Sequence, residues 1–325
     1  MIAVSMRQYM AQCPGLKYVF FGGKGGVGKT VMAGAAALWT AQQGRHTLLA
    51  STNPVHSLSS MLGQDVFGKP TAVSGVANLD AYEIDTRDTI AKSKVELTQK
   101  IEWFLKYADI KTRADEFVES ATMNPAFEES AMFENMVDLM FQNKYDAYVF
   151  DTAPTANTRR LLGMSGVYSM WVNKMVHSRE EARSLRDLLS YSRRKKKEQD
   201  PLMEYLLNLR SRMERTKVLL TDAEKTSFFF VTLPEALPIA VIKRFIGWFQ
   251  DFGIPVGGVV VNMVIDKASV TESAHEFVLN RVAMQDEYMQ EIERSFPDVR
   301  SVVPLFETEV RGVDMLGRTA QYLFA

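Results

Sequence analysis

Cysteine is nearly missing from this chain: Cys13 is the only one in 325 residues. A single thiol excludes an intramolecular disulfide framework and any thiolate zinc cluster built by one chain, and it suits a reducing compartment. Histidine is scarce too, and His46, His56, His177 and His275 stand at spacings that make no ligand pair. No run of about eighteen apolar residues occurs, so no membrane-spanning helix is expected. The first residues hold no apolar core of signal-peptide length, which reads as a cytoplasmic chain. Excess charge is also lacking: 38 Lys and Arg against 39 Asp and Glu give a formal net charge of −1. No global field then draws nucleic acid or anionic lipid. Residues 193–197, Arg-Arg-Lys-Lys-Lys, form one basic run, read as a solvated helix end or linker ahead of a partner patch.

What is present is a recurring alternation. Strands are expected at 16–21, 46–51, 79–84, 147–150, 228–232, 257–261 and 302–305. Several are continuous Val, Ile, Leu or Phe runs, the pattern of strands covered on both faces. Segments such as 235–250 and 276–293 have helical length and spacing between them. The fold class is therefore α/β, a doubly wound, mostly parallel sheet. Two stretches break the alternation and read as helical throughout, 86–143 and 162–225. The chain is read as one domain over 1–325 with a helical subdomain built from about 87–143 and 163–225. Asp200-Pro201 is the expected break between two helices there. Of eighteen methionines, many fall in these helices: Met123, Met132, Met136, Met140, Met164, Met170, Met175, Met203 and Met213. They suit either core packing or an adaptable apolar groove. The stretch from Val313 to Phe324 is amphipathic and is expected to pack on the sheet.

One segment carries most of the chemistry. Gly23 to Thr30 fits G-x-x-x-x-G-K-[ST], preceded by a strand candidate and followed by an Ala- and Leu-rich helix. In that context Gly23, Gly25, Gly26, Val27 and Gly28 form a loop whose backbone N–H groups converge on phosphates. Lys29 neutralises the β- and γ-phosphates, and Thr30 holds Mg²⁺. Tyr148-Val149-Phe150-Asp151 is an apolar strand ending in an acid, the arrangement that sets a carboxylate beside the same magnesium ion. ATP and Mg²⁺ are the expected ligands.

The second lysine, Lys24, gives Lys-Gly-Gly-Val-Gly-Lys-Thr. This deviant form resembles MinD, ParA, the nitrogenase iron protein, the arsenite pump ATPase and the tail-anchored-protein targeting ATPase. Further motifs narrow the resemblance to the last two. Asp151-Thr152-Ala153-Pro154-Thr155 resembles their Asp-Thr-Ala-Pro-Thr-Gly-His-Thr segment, departing at Ala156, Asn157 and Arg159. Ser51-Thr52-Asn53-Pro54-Val55-His56-Ser57-Leu58-Ser59 is similar to their switch segment, and Val231-Thr232-Leu233-Pro234-Glu235-Ala236-Leu237 to a strand and turn. Val260-Val261-Asn262 resembles the strand whose asparagine recognises adenine, and Pro304-Leu305-Phe306 the closing segment beside the base.

The resemblance implies a dimer in which Lys24 reaches the partner's nucleotide, either a homodimer or a heterodimer with a paralogue. It implies ATP hydrolysis coupled to the helical subdomain. A hydrophobic-helix client and a membrane pump partner are both expectations of this branch. The branch's cysteine ligands are absent: Cys13 matches no metalloid position, and His275-Glu276-Phe277-Val278 stands where a zinc clamp is found. The branch places aspartate where this chain has Asn53, and that carboxylate positions the attacking water. Asparagine keeps the size but takes up no proton. Slow natural hydrolysis, a nucleotide-binding partner of an active paralogue, and an Asp-to-Asn change that traps ATP are all open. Steady-state turnover should therefore rise on the order of 10²-fold or more in Asn53→Asp; equal rates in both forms would exclude Asn53 as the block.

Overall fold

The computed structural model describes residues 4–52, 57–107, 125–151, 201–271 and 273–325, with a few isolated helical residues between 118 and 181. Its strands are β1 (Tyr18–Gly22), β2 (Thr47–Ser51), β3 (Thr71–Ala72), β4 (Leu79–Glu83), β5 (Ala147–Asp151), β6 (Thr226–Thr232), β7 (Val256–Val264) and β8 (Val299–Pro304). They form one sheet in the order β3-β4-β2-β5-β1-β6-β7-β8. Every pairing is parallel except β3 with β4. The helices described are α1 (Met6–Gln12), α2 (Lys29–Gln42), α3 (Ser57–Leu62), α4 (Thr86–Tyr107), α5 (Pro125–Gln142), α6 (Pro201–Thr221), α7 (Ala236–Asp251), α8 (Glu276–Ser295) and α9 (Gly312–Leu323). The α/β, mostly parallel fold class is thus the one observed.

All residues of β1, β2, β5 and β6 are buried, because both faces of the sheet are covered. Alternation sends Val19, Phe21, Leu49, Val149 and Phe229 to a core shared with α1, α2, α3 and α9. Phe20, Leu48, Phe150, Phe228 and Phe230 enter a second core under α5 and α7. Phe20 stacks on Phe150 at 4.8 Å and on Phe228 at 4.3 Å between ring centroids, locking the three central strands together. Met132, Met136 and Met140 belong to that second core, so these three pack against the sheet. Met123, Met164, Met170 and Met175 lie outside the described residues, as does the side chain of Met203.

Strand limits differ from the expected ones where polar residues are buried. β6 starts two residues earlier, since Thr226 donates to the Leu219 carbonyl and Ser227 pairs with the Tyr9 hydroxyl. β8 starts at Val299 because the Arg300 guanidinium is satisfied by the Gly257 and Val4 carbonyls and by Asp298. Short β3 carries no apolar run that would announce it. Between 86 and 143 the described residues contain helices and no strand. The second helical stretch is described mainly through α6, which opens at Pro201, a position that needs no N–H. Residues 193–197 and Asp200 lie outside the described residues. His275 caps α8, its Nδ1 accepting from Phe277 N–H.

The C-terminal helix α9 packs against α2 and β8, with Trp39 and Phe324 stacked at 4.1 Å. Its approach to α2 and α3 is close. A Cβ at Gly34 would stand 2.7 Å from Met61 Cε and 3.1 Å from Leu316 Cδ2. Phe324→Ala, which empties this seam at a residue 1% exposed, should lower unfolding free energy by about 3 kcal/mol. Chemical denaturation reads that loss directly, and an unchanged midpoint would refute it.

Candidate nucleotide site

The loop after β1 turns through left-handed glycines, Gly23 at φ 146°, Gly26 at 82° and Gly28 at 89°. Two of these are also tight. A Cβ at Gly23 would run into the Val231 carbonyl, and one at Gly28 into the Asn262 amide. Gly28 then caps α2, whose first intrahelical bond is Met32 N–H to the Gly28 carbonyl. The earlier N–H groups and the positive end of the helix dipole remain for an anion.

Charge is placed around that loop. Lys29 Nζ donates to the Lys24 carbonyl at 3.2 Å. Burial pushes the Lys29 pKa down, against the pull of Asp151. Asp151 is 2% exposed, and its Oδ2 accepts from Thr30 Oγ1 at 2.7 Å and from Ser51 Oγ at 3.0 Å. Burial raises the Asp151 pKa, while Thr30, Lys29 and Ser51 lower it. The carboxylate and two hydroxyls are hard oxygen donors of the kind Mg²⁺ takes beside substrate phosphates, so these residues fit that ion. Among the described residues no group of three or more His, Cys, Asp or Glu could hold a metal by itself. An ion here would need oxygens from elsewhere, as a phosphate-bound magnesium does.

A cleft of about 850 Å³ opens at this edge of the sheet, large enough for a nucleotide. Gly25, Gly26, Gly28, Lys29, Thr30 and Asp151 line one end. Asn262, Pro304, Leu305 and Phe306 line the other, with Ser57 and Ser60 of α3 alongside. Val27 sits behind the wall, buried, its carbonyl accepting from Asn262 Nδ2 at 2.9 Å. Gly23 and Lys24 are not in the lining. Asn53 and His56 lie outside the described residues, as does the segment 152–172 after Asp151. The far wall is braced: Leu305 N–H donates to the Val264 carbonyl at 2.9 Å, and Arg318 covers the Phe306 ring while pairing with Glu307.

Sequence reading missed Glu83. It ends β4, is 1% exposed, and accepts from Leu58 N–H, Ser59 N–H and Ser59 Oγ. It therefore holds the start of α3 against the cleft. β4 alternates, Leu79-Asp80-Ala81-Tyr82-Glu83, so no apolar run marked this acid as one marked Asp151.

A glycine loop after the first strand, an acid after a neighbouring strand and a cleft beyond the strand ends define a P-loop nucleotide-binding fold. Residues 16–325 match the family described as Anion-transporting ATPase. Similar proteins include the ATPase ASNA1 homolog 2 of Paramecium tetraurelia, 30% identical over 95% of this chain and 94% of that protein. The ATPase GET3A of Arabidopsis thaliana is 29% identical over 93% of this chain and 82% of its own length. The ATPase ARSA2 of Chlamydomonas reinhardtii is 29% identical with the same shares. The chain belongs to this ArsA-type ATPase family.

Burying Asp151 has a cost that titration can expose. A carboxyl with a raised folded pKa binds its proton more tightly in the native state than in the unfolded one. Ligand-free stability then falls as pH rises from the ordinary carboxylate value through the raised one. Asp151→Asn removes that term, so its advantage in thermal midpoint over the wild type should grow with pH across this window. Calorimetry of both proteins without nucleotide checks it, and a pH-independent difference would count against the buried charge.

Proposed function

We propose that this protein is a Mg²⁺-dependent ATPase that works as a dimer and couples its nucleotide cycle to a helical subdomain. The observation that carries the reading is the convergence, in one cleft of a family member, of Lys29, the Thr30–Asp151 pair and Asn262. Gly23, Gly25, Gly26, Val27 and Gly28 shape the phosphate cradle. Lys29 carries positive charge to the β- and γ-phosphates, and partial burial strengthens that attraction. Thr30 and Asp151 hold Mg²⁺, which when bound neutralises charge on the phosphate oxygens. Asn262, Pro304, Leu305 and Phe306 receive the base. Asn262 gives one amide hydrogen to the Val27 carbonyl, which orients the amide, and its Oδ1 is an acceptor suited to the exocyclic amine of adenine.

Lys24, half-exposed and outside the lining, is the lysine that reaches a partner's nucleotide across the dimer, homodimeric or with a paralogue. Asn53 occupies the position that orients the attacking water and makes hydrolysis slow. The whole chain acts as one ATPase domain with its helical subdomain at about 87–143 and 163–225. That subdomain is coupled through Glu83: the carboxylate grips α3 at the cleft, and α4 begins three residues later at Thr86. A hydrophobic helix is the client class this coupling serves, and a membrane pump is the other partner expected of the family. No described helix is long and apolar enough to cross a membrane. The setting is cytoplasmic.

Calorimetric titration of ATP with Mg²⁺, run beside sedimentation of the same samples, tests the reading. The wild type should bind and shift toward dimer with ATP more than with ADP. Lys29→Ala should weaken ATP at least about 100-fold, as loss of a buried charge-assisted contact does. Undiminished binding in that variant would remove the assignment.

A further inference from the structure

Helix α8 is mostly exposed, and its buried residues are Gln285 and Ile292. A glutamine 5% exposed on such a helix calls for a partner, and both ends of its amide have one. Oε1 accepts from Ile265 N–H at 2.7 Å, and Nε2 donates to the Ile265 carbonyl at 3.0 Å. Ile265 follows the last residue of β7. There the β8 ladder ends at the pairing of Val264 with Pro304, and Pro304 has no N–H to offer. Gln285 thus supplies to Ile265 the two bonds that a neighbouring strand would otherwise make.

Two residues upstream the chain does something costly. Met263 adopts φ 55°, the left-handed region that a non-glycine residue rarely occupies. The β7–β8 register slips across the same step, between Val261 and Val264. This turn delivers Asn262 under the phosphate loop and Met263 into the cleft. It is fixed on one side by Leu305 N–H on Val264 and on the other by Gln285 on Ile265. A carbonyl only accepts, so Val27 dictates which end of the Asn262 amide faces it, and Oδ1 is the end left for a ligand.

We propose that Gln285 is a positioning residue for base recognition, holding the Met263 turn so that Asn262 presents an acceptor to a 6-amino purine. The proposal rests on the adenine-nucleotide reading above. A 6-oxo purine brings an acceptor to the same atom and is rejected. Without the Gln285 clamp the turn relaxes, Asn262 loses its fixed orientation, and discrimination falls.

The test is the ratio of GTP to ATP dissociation constants, measured with Mg²⁺ by calorimetry for the full chain. The wild type should favour ATP, and Gln285→Leu should shrink the preference by about tenfold, the scale of a lost oriented hydrogen bond. Gln285→Glu keeps the shape and the acceptor for Ile265 N–H but loses the donor, and should show a smaller loss in the same direction; it decides the matter if the leucine variant does not fold. Because Gln285 acts through Asn262, adding Gln285→Leu to Asn262→Ala should leave the ratio where Asn262→Ala set it. A merely structural glutamine would lower the melting temperature and leave the ratio alone. An unchanged ratio in the Gln285 variants, or a further drop in the double variant, overturns the proposal while the nucleotide assignment stands. Failure of the wild type to bind ATP overturns both.

Discussion

A carboxylate buried at the end of β5 is the constraint around which the rest of this molecule is arranged. Asp151 sits in a place that resists charge and accepts from hydroxyls of two other elements, Thr30 at the head of α2 and Ser51 at the end of β2. Those bonds join the ends of β5 and β2 to the head of α2 in one edge. They form only if β1, β2 and β5 are in register: the stacked rings of Phe20 and Phe150 hold β1 against β5, and the parallel pairing of β2 with β5 sets Ser51 opposite Asp151. Aromatic contacts of this kind each contribute about 0.5–1.5 kcal/mol beyond burial. The phenylalanine layer is thus the foundation on which the polar edge is held, and the polar edge is what a phosphate ligand meets.

Around that carboxylate the charges are few and close. Glu83 stands near enough to raise the Asp151 pKa, and Lys29 near enough to lower it. Two buried acids facing one half-buried lysine leave an edge that binding of a cation would relieve. Glu83 also grips the start of α3 and closes β4 three residues before α4 begins at Thr86.

Much of the phosphate end was legible from the residues alone, because its chemistry is contiguous. Gly23 to Thr30 encodes a turn that only glycine accommodates, followed by a lysine and a hydroxyl, and Asp151 closes an apolar strand. The central strands were legible because a doubly covered sheet demands continuous apolar runs. What escaped reading depends on partners distant in sequence. Glu83 meets residues 25 and 24 positions away, and Gln285 meets Ile265 from 20 positions away. Neither has a local signature that sets it apart from a solvated acid or amide. The early starts of β6 and β8 were hidden for the same reason, since Thr226, Ser227 and Arg300 read as surface until their tertiary partners are known. Asn53, where the resembling segments carry aspartate, lies outside the described residues.

Both margins of the sheet are built to refuse company. On one side the outermost strand is the two-residue β3, antiparallel to β4 and too short to template another chain. On the other, β8 pairs irregularly with β7, ends in a proline, and is crossed near its start by the tether from Arg300 to the Val4 carbonyl. Open parallel sheets with bare margins invite strand addition and fibrous aggregation. Blunting both margins leaves the described sheet without a long, regular edge on which another strand could be templated.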